Sequence, residues 1–273
     1  MRKYSYGLFA GLASIAFIII VIGNITIVAQ SVVTGTWKSD SWSDKHTGKG
    51  HDEDGVLDNT ILKKDENKLH LSFSRSTDGR NRNQFGSGFN YSDLQGLTRE
   101  QTQNGNVNFR IVREAGTVEC EGTFTNGKGS GTFRFTPNMS YVQGMKSRGF
   151  DFEKSSSRGS DSVEERLLSA ALIDVTTSLA DDLRSVGFGN LDIDDLFKAA
   201  IFKIDSKFMA EMKATGFPNL TMEDLVKARI FKIDADYVRQ VNDMGFAEKD
   251  FEKLVKFRSF KVTPEFLREI KAE

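Results

Sequence analysis

The dipeptide Gly-Phe recurs at Gly187-Phe188, Gly216-Phe217 and Gly245-Phe246, and the stretch "IFKID" at Ile201 to Asp205 returns at Ile230 to Asp234. Both spacings are 29 residues. The same step relates Leu196, Leu225 and Leu254; Phe202, Phe231 and Phe260; Ile204, Ile233 and Val262; and Phe208, Tyr237 and Phe266. A fixed period with a shared apolar register implies stacked copies of one supersecondary unit, each too small to bury its own apolar face.

Inside the unit the apolar spacing is helical. Leu191, Leu196, Phe197, Ala200 and Ile201 gather on one face, and Phe208, Met209, Met212 and Phe217 form a second stripe. Between them Asp205, Asp234 and Thr263 stand where an N-cap accepts free N–H groups of the second helix, and Pro264 follows where a first-turn proline loses no hydrogen bond. Gly187, Gly216 and Gly245 fit the C′ position, which needs positive φ. Thr221 to Asp224 reads as a capping box. The predicted unit is helix, tight turn, helix, with Phe202, Phe231 and Phe260 as one core column.

One period earlier lies a weaker copy, with Leu167, Ala171, Val175, Leu179 and Leu183 in the columns of Leu196, Ala200, Ile204, Phe208 and Met212. Earlier still, "TPNMSYVQGMKSRGF" aligns with "DADYVRQVNDMGF" as a lone second helix. From Phe150 to Phe188 is one period plus nine residues, and the surplus falls in the polar segment "DFEKSSSRGS", read as a linker or exposed loop. The three prolines, Pro137, Pro218 and Pro264, lie at repeat junctions.

The first 30 residues, "MRKYSYGLFAGLASIAFIIIVIGNITIVAQ", carry two early cations and then no charge until Lys38. As a helix, Gly7 to Ala29 reaches about 34 Å against roughly 30 Å of bilayer hydrocarbon. Arg2 and Lys3 make a positive n-region and Ala29 offers a small residue for cleavage, so residues 1–29 read as a signal peptide or an uncleaved membrane anchor. Either places the remainder outside the cytoplasm, in the periplasm; a buried core helix is the plainer alternative. Cys120 is the only cysteine, so no internal disulfide forms and stability rests on buried apolar surface. Removal of residues 1–29 takes Arg2 and Lys3 from 37 cations and leaves 38 anions, a charge of about −3. That offers no basic excess for phosphates and speaks against a nucleic-acid partner.

Between these parts the chain alternates with period two. Val107, Phe109 and Ile111, then Val118, Cys120 and Phe124, then Phe133 and Phe135 mark three strands with one wet face. Ala115-Gly116 and Asn126-Gly127 supply the turns. Further strands are expected at Gly35–Lys38, Val56–Leu62, Lys68–Ser74 and Asn83–Asn90. The fold class is therefore α+β and multidomain: an antiparallel β-sandwich or open barrel over 31–136, a connecting helix and polar linker over 137–160, and an all-α array of helix-turn-helix repeats over 161–273.

Chemistry-bearing residues are sparse. The three histidines are His46, His51 and His70, and "HTGKGHDEDG" sets two of them beside Asp52, Glu53 and Asp54. Its glycine-rich spacing fixes no ligand geometry and reads as a solvated loop. Gly86, Ser87 and Gly88 lack the Gly-Lys-Ser/Thr of a phosphate loop and the flanks of a nucleophile elbow. Cys120 alternates inward as a core thiol, and Trp37 in "GTW" reads as a core plug. Lys198, Lys227, Lys256, Asp195 and Asp224 read as a solvated helix face. No catalytic, cofactor-binding or metal-binding residue is assigned, and no cofactor is expected.

The combination of "GTW", "GKGSGTFRFTPNMSYV" and the "GFxNL…DDL…IFKID" repeats resembles a group of poorly characterised exported bacterial proteins over roughly residues 31–273. Similar repeats occur beside metallopeptidase sensor-transducers of the β-lactam-responsive type. The helical His-Glu-x-x-His of those peptidases is absent from this sequence, so the resemblance implies an accessory or sensory part without their activity. Two functions remain: an exported interaction module whose helices present a surface to a protein, peptide or envelope component, or a small-ligand-binding or hydrolytic β-barrel with the helices as support.

Overall fold

Alternation in the middle of the chain becomes, among the described residues, six strands: β1 (Val33–Ser39), β2 (Lys68–Thr77), β3 (Asn81–Asn90), β4 (Asn104–Arg113), β5 (Gly116–Thr125) and β6 (Lys128–Pro137). They pair antiparallel in the order β3-β2-β1-β6-β5-β4 as a single half-barrel sheet. Of the sandwich and the open barrel expected, the open form is the one adopted, with no second sheet among the described residues. The computed structural model describes residues 32–39, 67–77, 81–154, 162–243 apart from 188 and 218, 250–260, and 262, 266, 268 and 269. The strand expected at Val56–Leu62 and the segment 1–29 lie outside them. Residues 31–273 form one compact unit around one core.

Register follows the apolar pattern. Trp37 stands opposite Phe73 on one side and Gly131 on the other, and Gly131 stands opposite Gly122. The indole of Trp37 thus lies across two strands that carry no side chain beneath it. A Cβ at Gly131 would meet the Glu121 carbonyl at 1.9 Å and the Trp37 Nε1 at 2.7 Å, and one at Gly122 would meet the ring at 2.6 Å. Trp37 is fully buried, packs edge-on to Phe109 at 5.3 Å, and donates Nε1–H to the Glu121 carbonyl at 3.1 Å. Asn126 and Gly127, at φ 50° and 77°, form the hairpin turn before β6, as an Asn-Gly pair favours.

Among the described residues, helices α1 (Met139–Ser147), α2 (Val163–Ile173), α3 (Thr177–Ser185), α4 (Ile193–Phe202), α5 (Ser206–Lys213), α6 (Met222–Ile230), α7 (Ala235–Asp243) and α8 (Phe251–Ser259) follow. Ser162/Glu165, Asp192/Asp195 and Thr221/Asp224 close complete capping boxes on α2, α4 and α6. Asp205 caps α5, and Asp234 accepts from Tyr237 at 2.8 Å. α2 packs across β1, β3, β4, β5 and β6. Since the polar side chains of the opposite sheet face are exposed, this helix covers the apolar one. From it the helices run in two rows, α2, α4, α6 and α8 in one and α1, α3 and α5 in the other. Among the described residues no helix is long and apolar enough to cross a membrane.

A polar seam joins sheet to helices at the β4–β5 turn. Arg113 pairs with Asp93 at 3.4 Å and Asp174 at 3.3 Å, Glu114 accepts from the Thr177 N–H at 2.9 Å, and Tyr141 donates its hydroxyl to the Val175 carbonyl at 2.9 Å. Burial, then the Glu114 and Asp174 charges, push the Tyr141 pKa well above its ordinary value. Arg75 on β2 meets Glu165 of α2 at 2.5 Å.

Three expectations need correction. Phe152, assigned to the polar linker, is fully buried between Tyr141 (5.5 Å) and Phe197 (6.1 Å). Ile201, assigned to the inner face of α4, is 50% exposed. Phe202 and Phe231 are only partly buried and Phe260 is 79% exposed, because they fall at helix C-termini beyond the inner stripe. The fully buried column is Leu167, Leu196, Leu225 and Leu254.

Candidate functional site

The structure separates the residues that chemistry would need together. His46, His51, Asp52, Glu53 and Asp54 lie outside the described residues. His70 and Gly88 pair on one sheet face, whereas the neighbouring Leu71 and Ser87 pair on the other, so Ser87 and His70 point apart. Burial pushes the Cys120 thiol far above its ordinary pKa, which leaves it an inert core group. Among the described residues no cluster of three or more His, Cys, Asp or Glu side chains could hold a metal.

Two surfaces remain. The first is an open groove of about 750 Å³ on the polar face of the sheet. Register sets Thr34, Arg134, Glu119 and Arg110 in one row across β1, β6, β5 and β4, and Thr36, Thr132, Glu121 and Asn108 in the next. Gln95 exchanges two backbone hydrogen bonds of 2.9 Å with Arg110 and walls one end. Two guanidinium groups and two carboxylates, all exposed, alternate there without a fixed reacting pair. In the sequence this face is legible only as wet, because the strand pairing that forms the rows is non-local.

The second surface runs along the C-terminal ends of α4, α6 and α8. Ile201, Ile230 and Phe260 are 50%, 55% and 79% exposed, one at each helix end, with Phe202 and Phe231 half-buried behind them. Lys203 and Lys232 follow in the left-handed conformation at φ 55° and 53°. The Arg229 guanidinium stacks 3.7 Å over Phe208 and donates to the Lys203 carbonyl at 2.6 Å; Arg258 stacks 3.7 Å over Tyr237 and donates to the Lys232 carbonyl at 2.9 Å. Lys198, read as merely solvated, bridges to Glu223 of α6 at 2.6 Å. Lys227 pairs with Glu252 of α8, and that carboxylate holds the ammonium pKa above its ordinary value.

The fold and these surfaces define an α+β protein with a half-barrel sheet and a tier of short helices ending in an exposed apolar edge. Comparison with protein-family models, curated proteins and solved structures gives no match.

Proposed function

We propose that this chain is an exported, non-catalytic interaction module, in which 29-residue helix-turn-helix repeats present the binding surface. The observation that carries the reading is the exposure of apolar side chains at the C-terminal ends of α4, α6 and α8: Ile201 and Ile230, one period apart, and Phe260, which stands in the column of Phe202 and Phe231. Apolar side chains gathered along one edge, rather than scattered singly, mark an interaction surface. The repeat itself is supported by turn geometry. The N–H groups of Val175, Ile204, Ile233 and Val262 donate to the carbonyls of Ala170, Ala199, Ala228 and Phe257 at 2.9, 2.9, 2.8 and 2.7 Å, each donor 29 residues after the last.

The β-part serves as the platform. Its apolar face is filled by Trp37, Phe109, Phe124 and Phe135 and covered by α2, which leaves the polar groove as the place for a ligand. That groove favours the second reading, a small-ligand-binding or hydrolytic β-domain with helices as support. The two part under substitution. On the first reading, Ile201→Ser with Ile230→Ser abolishes capture of the partner from native envelope while Arg110→Ala with Arg134→Ala leaves it intact; the reverse pattern selects the second. Export is tested by fusing residues 1–40 to a reporter active only outside the cytoplasm. Mature material beginning at Gln30 would identify a cleaved signal, and an intact Met1 an anchor.

A further inference from the structure

We propose that the edge formed by Ile201, Ile230 and Phe260 docks on an anionic lipid surface. The inference rests on the interaction-module reading and names its partner. The apolar tips stand at turns and helix ends rather than in a groove: Ile201 and Ile230 are about half exposed and Phe260 about four-fifths. A helical or extended peptide needs a groove or an open strand edge to receive it, whereas exposed apolar tips enter the soft boundary between headgroups and acyl chains.

Cations flank every tip. Lys203 follows Ile201 and Phe202, Lys232 follows Ile230 and Phe231, and Lys256 and Arg258 precede Phe260. Lys203, Lys232 and Lys256 are exposed. Arg229 and Arg258 carry their charge to the same turns, where they hold the Lys203 and Lys232 carbonyls. Lys203 and Lys232 sit at positive φ, which a lysine adopts only at a cost that glycine would avoid. Both turns thus keep a cation at the position where the backbone favours its absence. Asp205, Asp234 and Asp236 carry the opposite charge close by in sequence. The first two are occupied in capping α5 and α7, and the third pairs with Arg239. At the first helical turn the left-handed residue is Asp174, tied to Arg113 of the sheet, so the pattern is confined to the outer hairpins.

The test uses residues 31–273, which form one compact unit with its own core, so that the apolar segment 1–29 cannot supply the binding. Cosedimentation is measured with phosphatidylcholine vesicles with and without phosphatidylglycerol. Binding should require the anionic lipid and fall with added salt. Ile201→Ser, Ile230→Ser and Phe260→Ser together should reduce it at least about 100-fold with the circular dichroism spectrum unchanged, since the three side chains are exposed. Lys203→Gln with Lys232→Gln should weaken it by about 5-fold for each lysine. Absence of binding, equal binding to neutral vesicles, or binding that survives the triple substitution overturns the proposal. If the chain ignores both vesicles while the triple variant loses an envelope protein partner, the lipid inference falls and the interaction reading stands; if the triple variant alters neither, both fall.

Discussion

Trp37 and the glycines beneath it show how one large side chain dictates the sequence of its neighbours. Gly131→Ala would set a methyl group 1.9 Å from the Glu121 carbonyl, which no rotamer relieves, so destabilisation of about 3 kcal/mol or more is expected in urea denaturation. Gly86→Ala, whose nearest neighbour is the Ser72 hydroxyl at 3.4 Å, should stay within about 0.5 kcal/mol. Cys120 and Tyr141 make a second residue-scale prediction. Both have raised pKa values in the folded chain, first through burial. Their contribution is complete below the unfolded values, about 8.5 for a thiol and 10 for a phenol, and is lost as pH rises from there towards the folded values. Stability should therefore begin to fall near pH 8.5, by at most about 1.4 kcal/mol per pH unit for each group. In Cys120→Ala the decline should start about 1.5 units higher; an unchanged onset would show that the thiol is not the first group to titrate. The inward position of Cys120 was legible from alternation, and that of Trp37 from the "GTW" tripeptide. The glycine bed was not, because it depends on which strands become neighbours across the sheet.

At the scale of elements, the helix boundaries were written in short-range chemistry. Asp205, Thr221 and Gly216 do what their residue types favour: two cap helix starts and the third turns the chain at φ 98°. The turns inside the hairpins were less legible, since positive φ falls on Asp174, Lys203 and Lys232 and not on glycine. Lys232→Gly should stabilise by up to about 1 kcal/mol by removing the Cβ conflict, net of the extra chain entropy of glycine. A loss of stability would mean that the lysine side chain holds the turn. The stacking of Arg229 on Phe208 and Arg258 on Tyr237 also escaped sequence reading, because its partners are far apart in the chain and the arginines look like ordinary surface cations. Arg229→Ala should cost about 1–2 kcal/mol, from the lost cation–π contact and carbonyl hydrogen bond. Arg239→Ala, whose partner is its exposed helical neighbour Asp236, should cost about 0.5 kcal/mol or less.

Residues 31–273 are held together by contacts that cross the expected boundaries at residues 137 and 160. α2 begins the helical series by sequence, yet it covers the sheet, and Phe152 in the intervening polar segment anchors the joint. Composition gave no warning of either. A mean over "DFEKSSSRGS" hides one aromatic ring, and an apolar face on α2 does not announce whether sheet or helix receives it. Because the core is continuous from β3 to α8, sheet and helices should unfold together. In a Trp42→Phe background, Trp37 fluorescence and far-ultraviolet circular dichroism should give coincident urea midpoints; separated midpoints would indicate bodies that unfold independently. The position of α2 also sets an order in time. The last strand ends at Pro137, but the helix that covers the sheet is complete only at Ile173, about 36 residues later. At roughly 5–20 residues per second, a nascent chain holds its finished strands uncovered for about 2–7 s, so the interval before α2 emerges is when a holdase would protect it from its own neighbours on the same messenger.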